Sequence, residues 1–424
     1  MKFIYKLLSL SLAIACLSGC SAANTEIASS SAATATVTPT TDSTEVPASN
    51  NVFTSAGDGL YVTTDSGIYE LQTVFPDSAN IFYTDANTKE RIFLCANPNC
   101  THADESCPSY IATPSAMFPP MLLRVGDQLL VVFTETTDSS NPHGMLMNMD
   151  GSNRRTVFEL ASNQYMQGGF CTSGNDLYFD LYEINDSGNV TYQLWYVSFE
   201  NGTSEKVMDL GSDSDHYSLC DGVNNELCFN HLSSDGISYC MYNPQSKTIS
   251  DPFFVDSSVS GNSMIQDGYL FVLDEQASSV QRIRLSDKEQ ASASFTVKEG
   301  FGAPSMRYLF DGKLMITEAQ TTASDIPTDG SYGVCSYILD FGIRNCTEFT
   351  LQTPYNNRPV YVLTTIGDAC YVATDYKTYT PTSVSEDGTV SNFDYVANIY
   401  AFITKQDYIN SNQNGYSMVK DAFE

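Results

Sequence analysis

The chain has 424 residues, with 20 Lys and Arg against 50 Asp and Glu, a formal charge of -30 at pH 7. Such an acidic excess excludes nucleic acid as a partner, because phosphate binding needs clustered Lys and Arg, and its plain physical use is solubility. The length is too great for one ordinary globular core, and 26 Tyr and 23 Phe provide the bulk of a large β domain.

At the N-terminus Lys2 and Lys6 form a basic flank to an apolar run over 7–17, which is too short to span a bilayer of roughly 30 Å as a helix. Leu17-Ser18-Gly19-Cys20 follows and resembles the bacterial lipobox. That resemblance implies cleavage before Cys20, lipidation of its thiol, and a protein anchored at the extracellular face of the cytoplasmic membrane. Residues 1–20 are thus expected to be a lipoprotein signal peptide. Over 21–51 the composition falls to Ser, Thr, Ala and Pro with a few acids and no apolar period. This segment is expected to be a disordered tether with an end-to-end distance of roughly 30 Å.

Residues 52–424 are expected to form an all-β domain. The pattern is clearest at Val125-Gly126-Asp127-Gln128-Leu129-Leu130-Val131-Val132-Phe133, a turn pair followed by an apolar run. The turn pair reverses the chain cheaply, and the residues after it suit a pleated, buried surface. Similar starts fall at Asp58-Gly59, Gly174-Asn175, Asn225-Glu226, Asp267-Gly268, Asp311-Gly312 and Gly367-Asp368, mostly roughly 42 to 56 residues apart. That interval is near the blade period of β-propellers. Partner strands are expected around 80–84, 145–149, 193–197, 280–285, 335–339 and 398–403, several followed by hairpin turns such as Asp150-Gly151-Ser152-Asn153. Seven starts predict a single, seven-bladed propeller, with tandem two-sheet sandwiches as the structural alternative. Ring closure is expected from the strand near 60–62 meeting the strand over 398–403, which protects the sheet edges.

One segment has a different chemistry. Leu94-Cys95-Ala96-Asn97-Pro98-Asn99-Cys100-Thr101-His102 and the later Cys107 form an insertion between the first two blades, too short to bury a core of its own. The alternation of an extended backbone aims Cys100 and His102 to one side, and Asn97-Pro98-Asn99 supplies a turn that returns Cys95 towards them. Cys95, Cys100, His102 and Cys107 are expected to make one local cross-link. A structural zinc held by three thiolates and one imidazole is the first reading; one disulfide with a spare thiol, or unlinked thiols, are the others. The segment resembles a Leu-Cys-x-x-Pro-x-Cys-x-His signature, with a following Cys, of β-propeller surface lipoproteins of Firmicutes. The resemblance implies a cell-surface lipoprotein and supplies no activity.

The remaining chemistry is sparse. Asp213-Ser214-Asp215 and Asp85-Ala86-Asn87 offer oxygen ligands for calcium, but neither continues into a full calcium loop. Cys171, Cys220, Cys228, Cys240, Cys335, Cys346 and Cys370 are odd in number and several sit inside apolar strands, which reads as buried free thiols. His143, His216 and His231 have no neighbouring Gly-x-Ser-x-Gly elbow. Thr63-Thr64-Asp65-Ser66-Gly67 copies part of a sialidase Asp box and reads as a hairpin turn. The sequence assigns no residue to catalysis and none to ligand binding. The functional expectation is a binding module that meets an extracellular glycan, peptide or envelope protein, with a propeller enzyme acting on extracellular glycans or peptides as the alternative.

Overall fold

The computed structural model describes residues 53–55, 59–74, 78–113, 119–137, 140–256, 262–321, 333–379, 382–384, 390–392 and 395–421. The signal segment, Cys20 and the tether over 21–51 lie outside the described residues. The chain is all-β, a succession of four-stranded antiparallel meanders in which strand order follows chain order. The first meander comprises Tyr61–Thr63, Gly67–Val74, Ser78–Asp85 and Glu90–Phe93; the second comprises Met121–Val125, Gln128–Phe133, His143–Asn148 and Arg155–Glu159. The third (Gln164–Ser173, Asp176–Ile184, Val190–Ser198, Thr203–Ser212) and fourth (Asp215–Val223, Glu226–Ser233, Gly236–Asn243, Thr248–Ile249) share one sheet, linked by the pairs Gly211 with His216 and Ser212 with Asp215. The fifth is Ser263–Gln266, Tyr269–Asp274, Ser279–Arg284 and Gln290–Ser294, and the sixth is Phe301–Tyr308, Leu314–Gln320, Val334–Asp340 and Asn345–Phe349. The seventh is Val362–Ile366, Ala369–Tyr379, Tyr395–Thr404 and Ser417–Met418.

The apolar runs become strands buried on both faces, and the pleat explains why. In Gln128–Phe133, Leu129 and Val131 point into a core shared with Ile81 and Ile111 of the first sheet, while Leu130 and Val132 point into a core shared with Phe179 and Leu181 of the third meander. All four are fully buried, and burying each such side chain contributes about 1.5 to 3 kcal/mol. The same arrangement recurs along the chain. Leu194 and Tyr196 meet Leu227 and Phe229; Cys228 and Tyr239 meet Leu270 and Ile283; Phe271 and Val280 meet Leu314 and Leu339; Met315 and Ile338 meet Cys370 and Val372. A seventh cluster joins Ile68 of the first meander to Tyr371, Tyr400 and Phe402 of the last.

Most of the expected starts open the second strand of their meander. The first is the exception: Gly59 leads into Tyr61–Thr63, the first strand, and the second strand follows the hairpin at Thr64, whose N–H donates to Gly67 O at 2.9 Å. The turn at 63–67 is therefore a hairpin, as its sequence predicts. The expected pairing of 60–62 with 398–403 does not occur. Tyr395–Thr404 lies between Ala369–Tyr379 and Ser417–Met418, and the short edge Lys420–Asp421 reaches the first sheet instead, parallel to Glu90 and Arg91. The physical reason is the turn built by the helix Lys405–Ile409. Thr404 Oγ1 caps that helix by accepting from Asp407 N–H at 3.0 Å, and the buried Tyr408 hydroxyl donates to Val360 O at 2.7 Å. The chain thereby folds back as an outer strand before it meets the first meander. No helix among the described residues is long and apolar enough to cross a membrane.

Candidate metal centre

The insertion is held from both ends by the first sheet. Leu94 N–H donates to Ile81 O at 2.9 Å and Ile81 N–H donates to Ser109 O at 2.8 Å, so the segment leaves and rejoins the sheet at the same strand. Tyr110–Ala112 then pairs with Ser78–Asp85. Between these anchors two turns do the folding. Asn97 Oδ1 accepts from Asn99 N–H at 3.1 Å while Asn97 O accepts from Cys100 N–H at 3.2 Å; Asp104 Oδ1 accepts from Ser106 N–H at 2.9 Å while Asp104 O accepts from Cys107 N–H at 3.0 Å. His102 occupies the left-handed region with φ of 55°, a conformation unusual for a residue with a Cβ, and its ring stacks on Phe93 at 4.0 Å between centroids.

These turns bring Cys95, Cys100, His102 and Cys107 together, with one ligand atom from each lying within 4.8 Å of the others. His102 Nδ1 is 3.2 Å from Cys107 Sγ. In a tetrahedral site with Zn–S of about 2.3 Å and Zn–N of about 2.0 to 2.1 Å, neighbouring donors stand roughly 3.5 to 3.8 Å apart. The four donors reach that cage with shifts of about an ångström or less, the wider gaps closing and the His102–Cys107 pair opening slightly, and the donor set of three sulfurs and one ring nitrogen suits a borderline-soft cation. The surroundings treat the thiols differently. Cys100 Sγ accepts from the His102 backbone N–H at 3.4 Å, and Cys107 Sγ is 3.1 Å from Ser109 Oγ, which donates to Asn80 Oδ1 at 2.9 Å. Burial opposes ionisation of Cys107, but its contacts with Ser109, through the hydroxyl and the backbone N–H, and with the His102 ring outweigh it and bring the thiol to about 6. Cys95 goes the other way, pushed up to about 11 by burial and by its neighbouring sulfurs.

The second meander also supports this lobe. Arg154 Nη1 donates to Tyr110 O at 2.6 Å and Nη2 donates to Pro108 O. Gly151 packs so close that a Cβ there would lie 2.4 Å from Pro108 O, and its φ of +79° suits glycine as well. Sequence reasoning assembled all four donors but missed Ser109, Asn80, Arg154 and Phe93. Ser109, two residues after Cys107, carried the one local signal; Arg154 carried none.

The other sequence candidates do not assemble into a second centre. Asp85 Oδ1 is engaged by the N–H groups of Asn87 and Thr88 at 2.9 and 2.8 Å, which also draws its pKa down. Asp215 Oδ1 meets His231 Nε2 at 2.7 Å. Of the seven other cysteines, Cys171, Cys228, Cys240, Cys335 and Cys370 are buried and Cys220 and Cys346 half-buried, all as free thiols. Burial pushes Cys240 and Cys370 up to about 12, which makes them inert at neutral pH.

No family model matches this chain, and no curated protein matches it. Among solved structures it is similar to the tricorn protease, at 11% identity and a TM-score of 0.32 over 81% of this chain and 35% of that one. It is similar to an oligogalacturonate lyase from Vibrio parahaemolyticus, at 9% identity and a TM-score of 0.39 over 82% of this chain and 91% of that one. It is also similar to an S511A mutant of puromycin hydrolase, at 10% identity and a TM-score of 0.44 over 84% of this chain and 58% of that one. The chain thus spans about a third of the first of these proteins and under two thirds of the third. Likeness at this level assigns no activity.

Proposed function

We propose that residues 52–424 form one seven-bladed β-propeller, held at the extracellular face of the cytoplasmic membrane by a lipidated Cys20, and that it acts as a binding module with a structural zinc in its Cys/His lobe. The order of the apolar clusters supports the ring. Each is shared by consecutive meanders, and the cluster of Ile68, Tyr371, Tyr400 and Phe402 is shared by the last and the first, as a closed ring requires and a row of separate sandwiches does not. The four converging donors around Cys107 support the zinc. When bound, the ion neutralises the thiolates and replaces the apolar core that so short a segment lacks. Four protein ligands leave no position for a reacting water, so the site is structural.

The binding reading is carried by the state of the histidines. His143 stacks on Phe133 at 4.4 Å, His216 on Tyr192 at 3.8 Å, and His231 on Tyr217 at 4.2 Å. Each ring is part of a stacked pair, and the ring nitrogens that hydrogen-bond among the described residues meet a carbonyl and a carboxylate oxygen: His143 Nδ1 meets Asn141 O at 2.8 Å and His231 Nε2 meets Asp215 Oδ1 at 2.7 Å. The test is a screen of the full chain, purified in detergent, against arrays of glycans and peptides. Stable capture without turnover over hours supports the module; release of cleaved product replaces it with the enzymatic reading.

A further inference from the structure

The first strands of the first, second, fifth, sixth and seventh meanders each end their sheet among the described residues. The first strand of the third meander, Gln164–Ser173, has an added neighbour. Thr54–Ser55 pairs with it antiparallel, Thr54 opposite Thr172 and Ser55 opposite Cys171. Phe53 leads into that short strand. Its N–H donates to Asn224 O at 2.8 Å, on the turn that follows Asp215–Val223 of the fourth meander. Its side chain is 6% exposed and lies in one apolar cluster with Cys171, Tyr178 and Leu219, edge-on to the Tyr178 ring at 5.3 Å between centroids. Gly222 makes the room, since a Cβ there would lie 2.5 Å from Phe53 Cβ.

The walls of this pocket are fixed without Phe53. Asp180 accepts from Gly169 N–H at 3.2 Å and from Leu219 N–H at 3.0 Å, which sets the third meander against the fourth. Asp221 accepts from Gly222 N–H at 2.7 Å and from Gly268 N–H at 2.9 Å, which sets the fourth against the fifth. Thr54–Ser55, by contrast, belongs to no meander, and by Gly59 the chain has reached the second, where Gly59 O accepts from Leu122 N–H at 2.6 Å. Two ladder positions, one further backbone hydrogen bond and one aromatic side chain carry the segment. An element held by so few contacts opens locally far more readily than the sheets beside it.

We propose that this slot is a docking site for an extended peptide of a partner protein, added as a strand to the edge of Gln164–Ser173 with an aromatic side chain in the Phe53 pocket, and that residues 53–55 occupy it in cis. The unpaired N–H and C=O groups of a strand edge are a template for another strand. Backbone pairing of this kind supplies affinity whatever the sequence, and the adjoining pocket selects the side chain. A glycan lacks the alternating N–H and C=O groups that pair with a strand edge, so the mode selects peptide over saccharide. What sets this edge apart from the other first strands is the apolar pocket beside it, built from Cys171, Tyr178, Leu219 and Gly222. The cis segment competes at the effective concentration set by its short link to Gly59, so a partner enters only as the segment leaves.

This slot deepens the binding-module reading and rests on it. The experiment is fluorescence anisotropy of a labelled synthetic peptide with the sequence of residues 51–57, Asn-Val-Phe-Thr-Ser-Ala-Gly, added to the full chain in detergent. Phe53→Ala loosens the cis segment, and the peptide should bind that variant about tenfold or more tighter than the unaltered chain. The same peptide with Ala in place of its Phe should bind neither. A benzophenone at the Phe position of the peptide should cross-link to residues 171–178 or 219–224, read by mass spectrometry, and Gly222→Val added to Phe53→Ala should abolish binding. Thermal melts show whether each variant is folded; the cross-link carries the location if Gly222→Val unfolds, and a Phe53→Ala chain that fails to fold makes the segment part of the core and overturns the slot. No binding to Phe53→Ala, equal binding to both chains, or cross-links elsewhere overturn the slot and leave the module standing. Binding followed by cleavage of the peptide upholds the slot and overturns the module.

Discussion

The Cys/His lobe and the seam between the first and last meanders are both held by polar side chains, but at opposite sequence distances. In the lobe, four donors from a stretch of 13 residues converge on one point. At the seam, Arg91 donates from Nε and Nη2 to Glu70 Oε2 at 3.0 and 2.8 Å, and from Nη1 to Asp421 Oδ1 at 3.3 Å, while Tyr400 Oη donates to Glu70 Oε1. The Arg91 guanidinium also lies over Phe82 at 3.8 Å. Glu70 and Arg91 are buried, and the guanidinium is held charged: burial opposes the charge, and the Glu70 carboxylate together with Tyr400 and Tyr371 offsets that opposition. Local convergence fixes a segment; distant convergence fixes the ends of the whole domain. The two regions should therefore respond to damage on different scales.

The largest effect is expected at the seam. Arg91→Ala leaves Glu70 buried without its partner and should cost about 3 to 5 kcal/mol of global stability, read as a lower midpoint in urea unfolding followed by fluorescence. Tyr400→Phe removes one hydrogen bond to that carboxylate and should cost about 1.5 to 3 kcal/mol in the same assay. If either change were silent, the ends of the domain would be held elsewhere.

Asp180 sharpens the comparison as a carboxylate buried without a cation. Its Oδ1 accepts from Gly169 N–H at 3.2 Å and its Oδ2 from Leu219 N–H at 3.0 Å, tying the third meander to the fourth. Burial pushes its pKa up against those two hydrogen bonds, to about 7. An unfolded Asp titrates near 3.9, so between about 4 and 7 the folded chain keeps a proton that the unfolded chain has released. The stability this supplies is complete below the unfolded value and is lost as pH rises through about 7, by at most about 1.4 kcal/mol per pH unit. Asp180→Asn should flatten that part of the pH profile, even though the amide leaves one backbone N–H poorly matched. A profile unchanged by the substitution would remove Asp180 as its source.

Damage to the lobe should have the smallest global effect. Cys100→Ser, or treatment with a strong chelator, should raise the rate of proteolysis within 96–106 while the unfolding free energy read from urea falls by less than about 1 kcal/mol, because the sheets on either side keep their own cores. A global collapse would mean that the lobe, like the seam, holds the whole domain.

The difference in sequence distance also decides what can be read in advance. The second strands were legible because the pleat sends their apolar side chains to two cores at once, leaving unbroken runs such as Leu129-Leu130-Val131-Val132 after a Gly-Asp turn. Outer strands were less legible: Arg155–Glu159 and Thr203–Ser212 face solvent along much of their length and carry polar residues. The Cys/His cluster could be read because cysteine and histidine are scarce and lay close together. Glu70 and Asp421 could not, since nothing local distinguishes them from the other acids of the chain, and their partner Arg91 is recognised only when the sheets are assembled. The misplaced closure has the same origin, because the turn through Lys405–Ile409 depends on a pocket for Tyr408 formed by Phe310 and Phe349.

The most direct measurement is metal analysis of protein purified anaerobically without chelator, joined to X-ray absorption at the zinc edge. The result predicted is one zinc per chain, with three sulfurs at about 2.3 Å and one nitrogen at about 2.0 to 2.1 Å, and loss of the ion in Cys107→Ser. The result that would contradict it is a metal-free protein in which two of Cys95, Cys100 and Cys107 resist alkylation after unfolding, since a disulfide would then hold the lobe.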